Sequence, residues 1–478
     1  MNLKVKAKLD VNFTPLSLVC REMRENTKTD GQDIIIAVER NKGYTSTYKT
    51  RIYKDNTGHD EENFRFIERI VKSLLWVAGG YKIIIAGSEV VGNRIKEAYT
   101  YSGLRDFDVH FMERVYEQKF SVTVCPIEEA PSNKSSASPI GRHLDGCRIG
   151  FDAGGSDRKV SAVIDGESVY SEEVVWFPKT NPDPNYHYEG IKNAMKTAAS
   201  HMPRVDAIGI SSAGVYVDNR IMVASLFIKV SEEDFDKKVK NMYLDVAREI
   251  GENIPIEVAN DGDVTALAGA MELKDNAVLG IAMGTSEAGG YVDTNGNITG
   301  WLNELAFVPV DYCKDAMTDE WSGDYGCGSK YFSQDAVIKL APFAGIELDE
   351  KLSPAEKLKV VQGLMKEGDK RAVAIYDTIG AYFGYAIAYY AEFYEIKHVL
   401  IMGRVTSGEG GAIILDRAQE VLNTEFPQLA KQIKLHIPDE NSRRVGQSVA
   451  AASLPKLNIR KRQMNRRIKI PVAGKCDR

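Results

Sequence analysis

Residues 258–267 read VANDGDVTAL, placing Asn260, Asp261 and Asp263 where an apolar run gives way to an alanine-rich one. Acidic and amide side chains at a helix start satisfy orphan N–H groups and complement the helix dipole. A carboxylate held at a strand end can instead take a proton from a hydroxyl. Three glycine clusters decide between these roles. In FDAGGSDRKVSAVID, residues 151–165, Gly154, Gly155 and Ser156 occupy a turn between two β-type runs. Glycines there let backbone N–H groups approach a phosphate without Cβ obstruction, and the serine adds a donor. Asp152, just before the turn, suits a magnesium ion held through water. LGIAMGTSEAGGYVDTNGN, residues 279–297, repeats the arrangement with Gly284, Thr285 and Ser286. In HVLIMGRVTSGEGGAII, residues 398–414, a strand ends at Gly403 and enters a Gly-rich loop through Arg404, which suits a nucleotide's adenosine. Two phosphate-type turns, one opening each half, are much more specific than either alone, and beside them Asp261 at a strand end suits a base, with Asp263 as the helix cap.

These residues need strands to carry them. From residue 147 on, β-type runs alternate with helical segments, and a hairpin opens each half, which predicts two related α/β lobes with a cleft between them. The expected division is a first lobe over 146–270 and a second over 271–457. Residues 33–125 alternate DIIIAVE, YKIIIAG and FSVTVC with amphipathic stretches such as ENFRFIERIVKSLLWVA, a small N-terminal α/β unit spanning 1–126. IEEAPSNKSSASPI has linker composition, giving a linker over 127–145. The loop WFPKTNPDPNYHYEG, residues 176–190, reads as a solvent loop, with Asn181, Asp183 and His187 as the alternative able to close over a ligand. A long helix is expected around 231–250. VAIYDTIGAYFGYAIAYYAEFY, residues 373–394, carries Asp377, Glu392 and several tyrosines among small residues, and reads as a buried helix rather than a membrane span.

Composition sets the outer limits. The chain has 478 residues, beyond the size at which a single core keeps growing. A net charge of −6 argues against global nucleic-acid binding. Six scattered cysteines without a CxxC pair suit reduced thiols in a cytoplasmic protein. The tail, 458–478, holds eight Lys or Arg against one Asp and reads as solvated chain.

From about 148 to 454 these pieces, in this order, resemble the ROK (repressor, ORF, kinase) family of sugar kinases and regulators, which shares the actin, hexokinase and Hsp70 fold. FDAGGSDRKVSAVID resembles the family's D-I-G-G-T-K hairpin. IGISSAG, ending at Gly214, resembles its G-x-x-x-P-G strand. VANDGDVTAL resembles its N-D-A-N segment, and MGTSEAGGYVDTNGNITG its G-T-G-x-G-G-G hairpin. NEL, 303–305, resembles its G-E-[IL]. The resemblance implies a two-lobed, ribonuclease H-like α/β fold with the N-terminal unit added. It implies ATP and Mg²⁺ as cofactors, Asp261 as catalytic base, Asn260, Glu304 and Gly214 at the sugar, and a possible homodimer. It also implies departures. Asp157 replaces the lysine after the first turn and puts an extra negative charge near ATP, which either Arg158 or Lys159 compensates or which weakens nucleotide binding. Phe307 stands where the family has a histidine that serves sugar and a structural zinc. Of the zinc loop only Cys313 and Cys327 remain, with Ser329 in the last glutamate's place, so no structural zinc is expected. A non-catalytic sugar or nucleotide sensor is the alternative, and an ATPase acting on a non-sugar substrate is a third reading.

Overall fold

The computed structural model describes residues 2–134, 140–438 and 440–457. The predicted tail lies outside them, as does the centre of the predicted linker.

Two sheets carry the halves, and their topologies match. In the first half, β5 (Cys147–Ala153) turns back into β6 (Asp157–Ile164), followed by β7 (Glu167–Val175). β8 (Ala207–Ser212) then pairs parallel to β5, and β11 (Ile256–Asn260) parallel to β8, giving the order β11-β8-β5-β6-β7. In the second half, β12 (Val278–Met283) turns back into β13 (Glu287–Val292). β14 (His398–Met402) pairs parallel to β12, and β15 (Lys434–His436) parallel to β14, giving β13-β12-β14-β15. Each hairpin turn is therefore one of the glycine clusters, presented at the same end as the C-termini of the parallel strands.

Two helices connect the sheets. α8 (Asp261–Leu273) leaves the end of β11 and packs on β12 and β13, while α14 (Glu440–Ala452) packs on α8 and on β5, β6 and β8. Close approach is built into the sheet: a Cβ on Gly209 of β8 would lie 1.7 Å from the Ala451 carbonyl oxygen, so only glycine admits the helix there. α14 thus joins the first sheet, although it follows the second in sequence.

α5 (Pro184–Ser200) covers the first sheet. A small ribbon of β9 (Val215–Val217) and β10 (Arg220–Val223) follows β8. The helix expected over 231–250 is divided: α6 (Glu232–Asp234) runs into a π-turn at Phe235–Val239 before α7 (Met242–Ile250). The second half adds α9 (Gln334–Leu340), α10 (Pro354–Lys366), α11 (Lys370–Tyr390), α12 (Glu409–Glu425) and α13 (Pro427–Gln432). α11 is the tyrosine-rich segment. It is buried almost throughout, and Gly380 and Gly384 let α12 lie close against it. Among the described residues no helix is long and apolar enough to cross a membrane.

The N-terminal unit is a four-stranded sheet in the order β2-β1-β3-β4, from β1 (Gly31–Arg40), β2 (Tyr44–Tyr53), β3 (Lys82–Ala86) and β4 (Ser121–Cys125). Its helices are α1 (Leu16–Asn26), α2 (Asp60–Ala78), α3 (Glu89–Ala98) and α4 (Asp106–Tyr116). It has no core of its own. Val5, Phe13, Ile70 and Trp76 share one apolar cluster with Leu305, Tyr382 and Ile401 of the second half. The backbone N–H groups of Asn303 and Glu304 donate to the carbonyls of Val77 and Trp76, at 3.0 and 3.1 Å.

α2 also carries a buried ionic cluster. Arg69 Nη1 lies 3.0 Å from Asp324 Oδ2, Lys72 Nζ 3.1 Å from Asp108 Oδ1 and 3.3 Å from Asp324 Oδ2, and Arg105 Nη1 2.9 Å from Asp324 Oδ1. Arg105 and Arg69 also pair with Glu68. Three cations and three carboxylates, all nearly inaccessible, balance one another. Asp324 belongs to the 311–330 loop, so this cluster locks the N-terminal unit to that loop.

The predicted linker is anchored on both sides of its undescribed centre. Thr45 and Lys134 exchange backbone hydrogen bonds at 2.9 and 2.8 Å, and the N–H groups of Gly141 and His143 reach Leu454 and Ser453 carbonyls.

Candidate functional site

Asp261 is the first residue of α8, half-buried where β11 ends. Its Oδ1 accepts from the Gly262 N–H at 3.0 Å. Burial raises its pKa, while the charge of Lys179 opposes the shift. The cap of α8 is Asn260, whose Oδ1 accepts from the same N–H at 2.8 Å and whose Nδ2 donates to the Gly214 carbonyl at 2.8 Å. Asp263 is therefore not the cap. It points across to the second half, accepting from the Tyr291 N–H at 3.0 Å and Asn303 Nδ2 at 2.8 Å, and burial pushes its pKa up to about 7.

Asp152, near the end of β5, accepts from Ser211 Oγ of β8 at 2.8 Å. Burial pushes it up to about 6, and the Asp261 charge adds to the rise. Glu304 precedes the short turn Leu305–Phe307 and makes no side-chain hydrogen bond with a described residue. Burial, then the charges of Asp261 and Asp263, push it up to about 7. Asp152, Asp261, Asp263 and Glu304 thus form one electrostatically connected group at the junction of the halves.

The first glycine turn is buttressed by the segment after β7. Trp176 Nε1 donates to the Gly154 carbonyl at 2.8 Å and the Trp176 N–H to the Ser156 carbonyl at 3.1 Å. Ser156 Oγ donates to Asp157 Oδ2 at 3.0 Å, and Lys159 Nζ lies 3.4 Å from Asp157 Oδ1. Lys159, not Arg158, offsets the aspartate; Arg158 lies over Trp176. Lys179 was missed in the sequence. A Cβ on Gly155 would lie 2.9 Å from its Cε and 3.1 Å from its Nζ, so the exposed ammonium sits over the turn. The residues that seemed able to reach a sugar instead hold this loop. The ring nitrogens of His187, which is buried, lie 3.0 Å from the Asp183 and Pro178 carbonyls, and Asp183 caps α5.

The second turn meets the third cluster. Arg404 Nη2 donates to Thr285 Oγ1 at 2.7 Å, and the Gly284 N–H donates to the Ser286 carbonyl at 3.0 Å. Gly403, at φ 102°, lies against the Met283 backbone.

Residues 148–449 match the model of the ROK family. The chain belongs to the ROK family. Its α/β architecture is the two-lobed, actin-like fold of that family. Among solved structures, the ROK hexokinase of Thermus thermophilus superposes with a TM-score of 0.48 at 18% identity, covering 64% of this chain and 97% of its own. A ROK glucokinase from Streptomyces griseus, in complex with glucose and AMPPNP, gives 0.46 at 19%, covering 65% and 99%. A ROK transcriptional regulator, homologous to the E. coli MLC protein, gives 0.49 at 17%, covering 65% and 79%. No curated protein matches the chain.

Of the two cysteines on which the zinc-loop resemblance rests, Cys327 is buried and Cys313 half-buried. Cys327 Sγ lies 3.7 Å from Asp324 Oδ2, and the charges reaching that carboxylate are Lys72, Arg69 and Arg105. Among the described residues no group of three His, Cys, Asp or Glu could hold a metal. Phe307 packs at a tilt against Trp76, at 4.3 Å between ring centroids, and against Phe107 at 5.5 Å.

Glu287, one residue beyond the second turn, is buried with Oε1 accepting from Tyr390 at 3.1 Å and Oε2 without a hydrogen-bond partner among the described residues. Burial pushes the pKa of Glu287 up to about 8. The folded state therefore holds a proton that the unfolded chain releases near pH 4.5, so this group's contribution falls as pH rises from about 4.5 to 8. Glu287→Gln is expected to gain about 1–3 kcal/mol relative to wild type at pH 8 and little at pH 5, measured by urea unfolding at both values.

Proposed function

We propose that the chain transfers the terminal phosphoryl group of ATP to a hydroxyl of a sugar or sugar derivative. The observation that carries this reading is the placement of Asp261: a half-buried carboxylate at a strand–helix junction, coupled to Asp152 and Glu304 on either side and to Lys179 over the first turn.

In this reading Asp261 accepts the proton of the acceptor hydroxyl. Burial raises its pKa, which makes it a stronger base. Asn260 fixes the start of α8 and keeps one amide hydrogen for the acceptor, and Gly214 and Glu304 complete the acceptor's surroundings. The N–H groups and hydroxyls of Gly154, Gly155, Ser156, Gly284, Thr285 and Ser286 would grip phosphates, with Lys179 adding a charge. Gly403 and Arg404 would lie beside the adenosine. Asp152 would hold Mg²⁺, whose bound form neutralises phosphate charge.

Lys179→Met is expected to raise the KM for ATP by about tenfold with a smaller change in kcat, since a phosphate contact made equally before and during transfer affects binding alone. Steady-state kinetics with varied ATP decides it. An unchanged KM would remove Lys179 from the phosphate site.

The second reading is a sensor that binds sugar or nucleotide without transfer. Asp157 beside the first turn and Phe307 within an aromatic cluster favour it. ADP release with Mg²⁺ across hexoses, amino sugars and sugar acids separates the two. Sugar-dependent release supports the kinase; sugar binding with no release supports the sensor.

A further inference from the structure

Arg40 ends β1 and is 6% exposed. Its Nη1 donates to the carbonyls of Ala78, at 2.9 Å, and Gly300, at 3.2 Å. Among the described residues no carboxylate pairs with it, and its Nε and Nη2 donate to none of them. Burying a guanidinium costs several kcal/mol unless an opposite charge meets it, and carbonyl oxygens meet only part of that cost.

The side chain lines a cleft of about 290 Å³ between the N-terminal unit and the two halves. Gly214, Asn260 and Asp263 line the same cleft, so it opens beside the proposed acceptor position. Tyr44 and Tyr116 flank Arg40 there, and neither hydroxyl hydrogen-bonds to a described residue. The other cation of the cleft, Lys42, is engaged with Asp218 at 2.5 Å.

We infer that this cleft takes an acceptor carrying a carboxylate, a sugar acid, with Arg40 receiving the carboxylate and the Asn260 end receiving the sugar hydroxyls. A guanidinium presents parallel N–H groups that match a carboxylate's two oxygens. A phosphate dianion fits less well, because one cation is free and Asp218, Glu257 and Asp263 line the same cleft. The inference rests on the acceptor site proposed above. It adds that the N-terminal unit, which lies outside the matched family region, selects the substrate.

The test is calorimetric titration, without ATP, of glucuronate, galacturonate and mannuronate against glucose, galactose and mannose, with glucose 6-phosphate as a further arm. At least one uronate is expected to bind about tenfold to a hundredfold more tightly than its neutral parent. That advantage is expected to vanish in Arg40→Gln and shrink in Tyr116→Phe, which keeps the ring and guards against an Arg40 variant that fails to fold. No uronate preference, a preference that survives Arg40→Gln in folded protein, or tighter binding of the phosphate overturns the inference. Arg40-dependent uronate binding without ADP release would leave this site standing and remove the kinase reading. Transfer to neutral hexoses without acid preference would do the reverse.

Discussion

Asp261→Asn is expected to lower kcat for sugar-dependent ADP release by about 10²–10⁴-fold while sugar binding changes little. Asparagine keeps the size of the side chain and an oxygen able to accept from the Gly262 N–H, so the start of α8 is preserved. What it removes is the ability to take a proton. The wild-type rate should rise with pH along an acid limb lying above the ordinary aspartate range, because burial raises the Asp261 pKa. The variant should lose that limb as well as the rate. Single-turnover measurement of ADP with saturating sugar, paired with calorimetric sugar binding, gives both numbers. Equal turnover in the two proteins would exclude Asp261 as base and leave its capping neighbourhood as its only role. Removal of one negative charge should also lower the pKa of Asp152 and of Glu304, since Asp261 raises both.

The site was legible where chemistry and backbone shape coincide in a few consecutive residues. The two hairpin turns, the strand ending at Asn260 and the loop after Gly403 each combine a β-type run with glycines, and the structure places them as read. Asp263 was misread as the cap because both aspartates fit a helix start; the choice depends on Tyr291 and Asn303, which are close only in the fold. Lys179 left a fainter signal. A lone lysine in a proline-containing loop has no periodicity, and only the Trp176 and His187 contacts aim it at the turn. β2, YTSTYKTRIY, escaped notice because threonine and lysine replace the apolar residues of a core strand, although Thr45, Ser46 and Thr50 are buried. Least legible was the attachment of the N-terminal unit. Its strands looked self-sufficient, yet Phe13 packs on Tyr382, and Trp76, besides its neighbours Phe107 and Phe111, packs on Phe307, more than two hundred residues away.

That attachment yields the second large effect. Asp324→Ala is expected to destabilise the protein by about 3–5 kcal/mol, because it leaves Arg69, Lys72 and Arg105 buried with one carboxylate too few. Lys72→Met should cost a similar amount by stranding Asp108, which also accepts from Trp76 Nε1 at 2.6 Å. The double change Lys72→Met with Asp108→Leu should cost clearly less than the sum of its single changes, since it withdraws one charge of each sign and restores balance. Urea unfolding of the four proteins closes the cycle. Chelator separates this account from a metal-based one. If three cationic side chains neutralise the 311–330 loop without a metal, exhaustive EDTA treatment should leave the wild-type midpoint unchanged, whereas a bound structural metal would give a marked loss. A strict sum of the single effects would mean that the charges act independently and that shape, not charge balance, holds the N-terminal unit to the second half. A strongly sub-additive result with no response to chelator would mean that charge balance among these side chains, and no metal, holds the added unit to the loop. The acceptor cleft and the ionic cluster meet at α2, since Arg40 in the cleft donates to the Ala78 carbonyl at the end of the helix that carries Arg69 and Lys72.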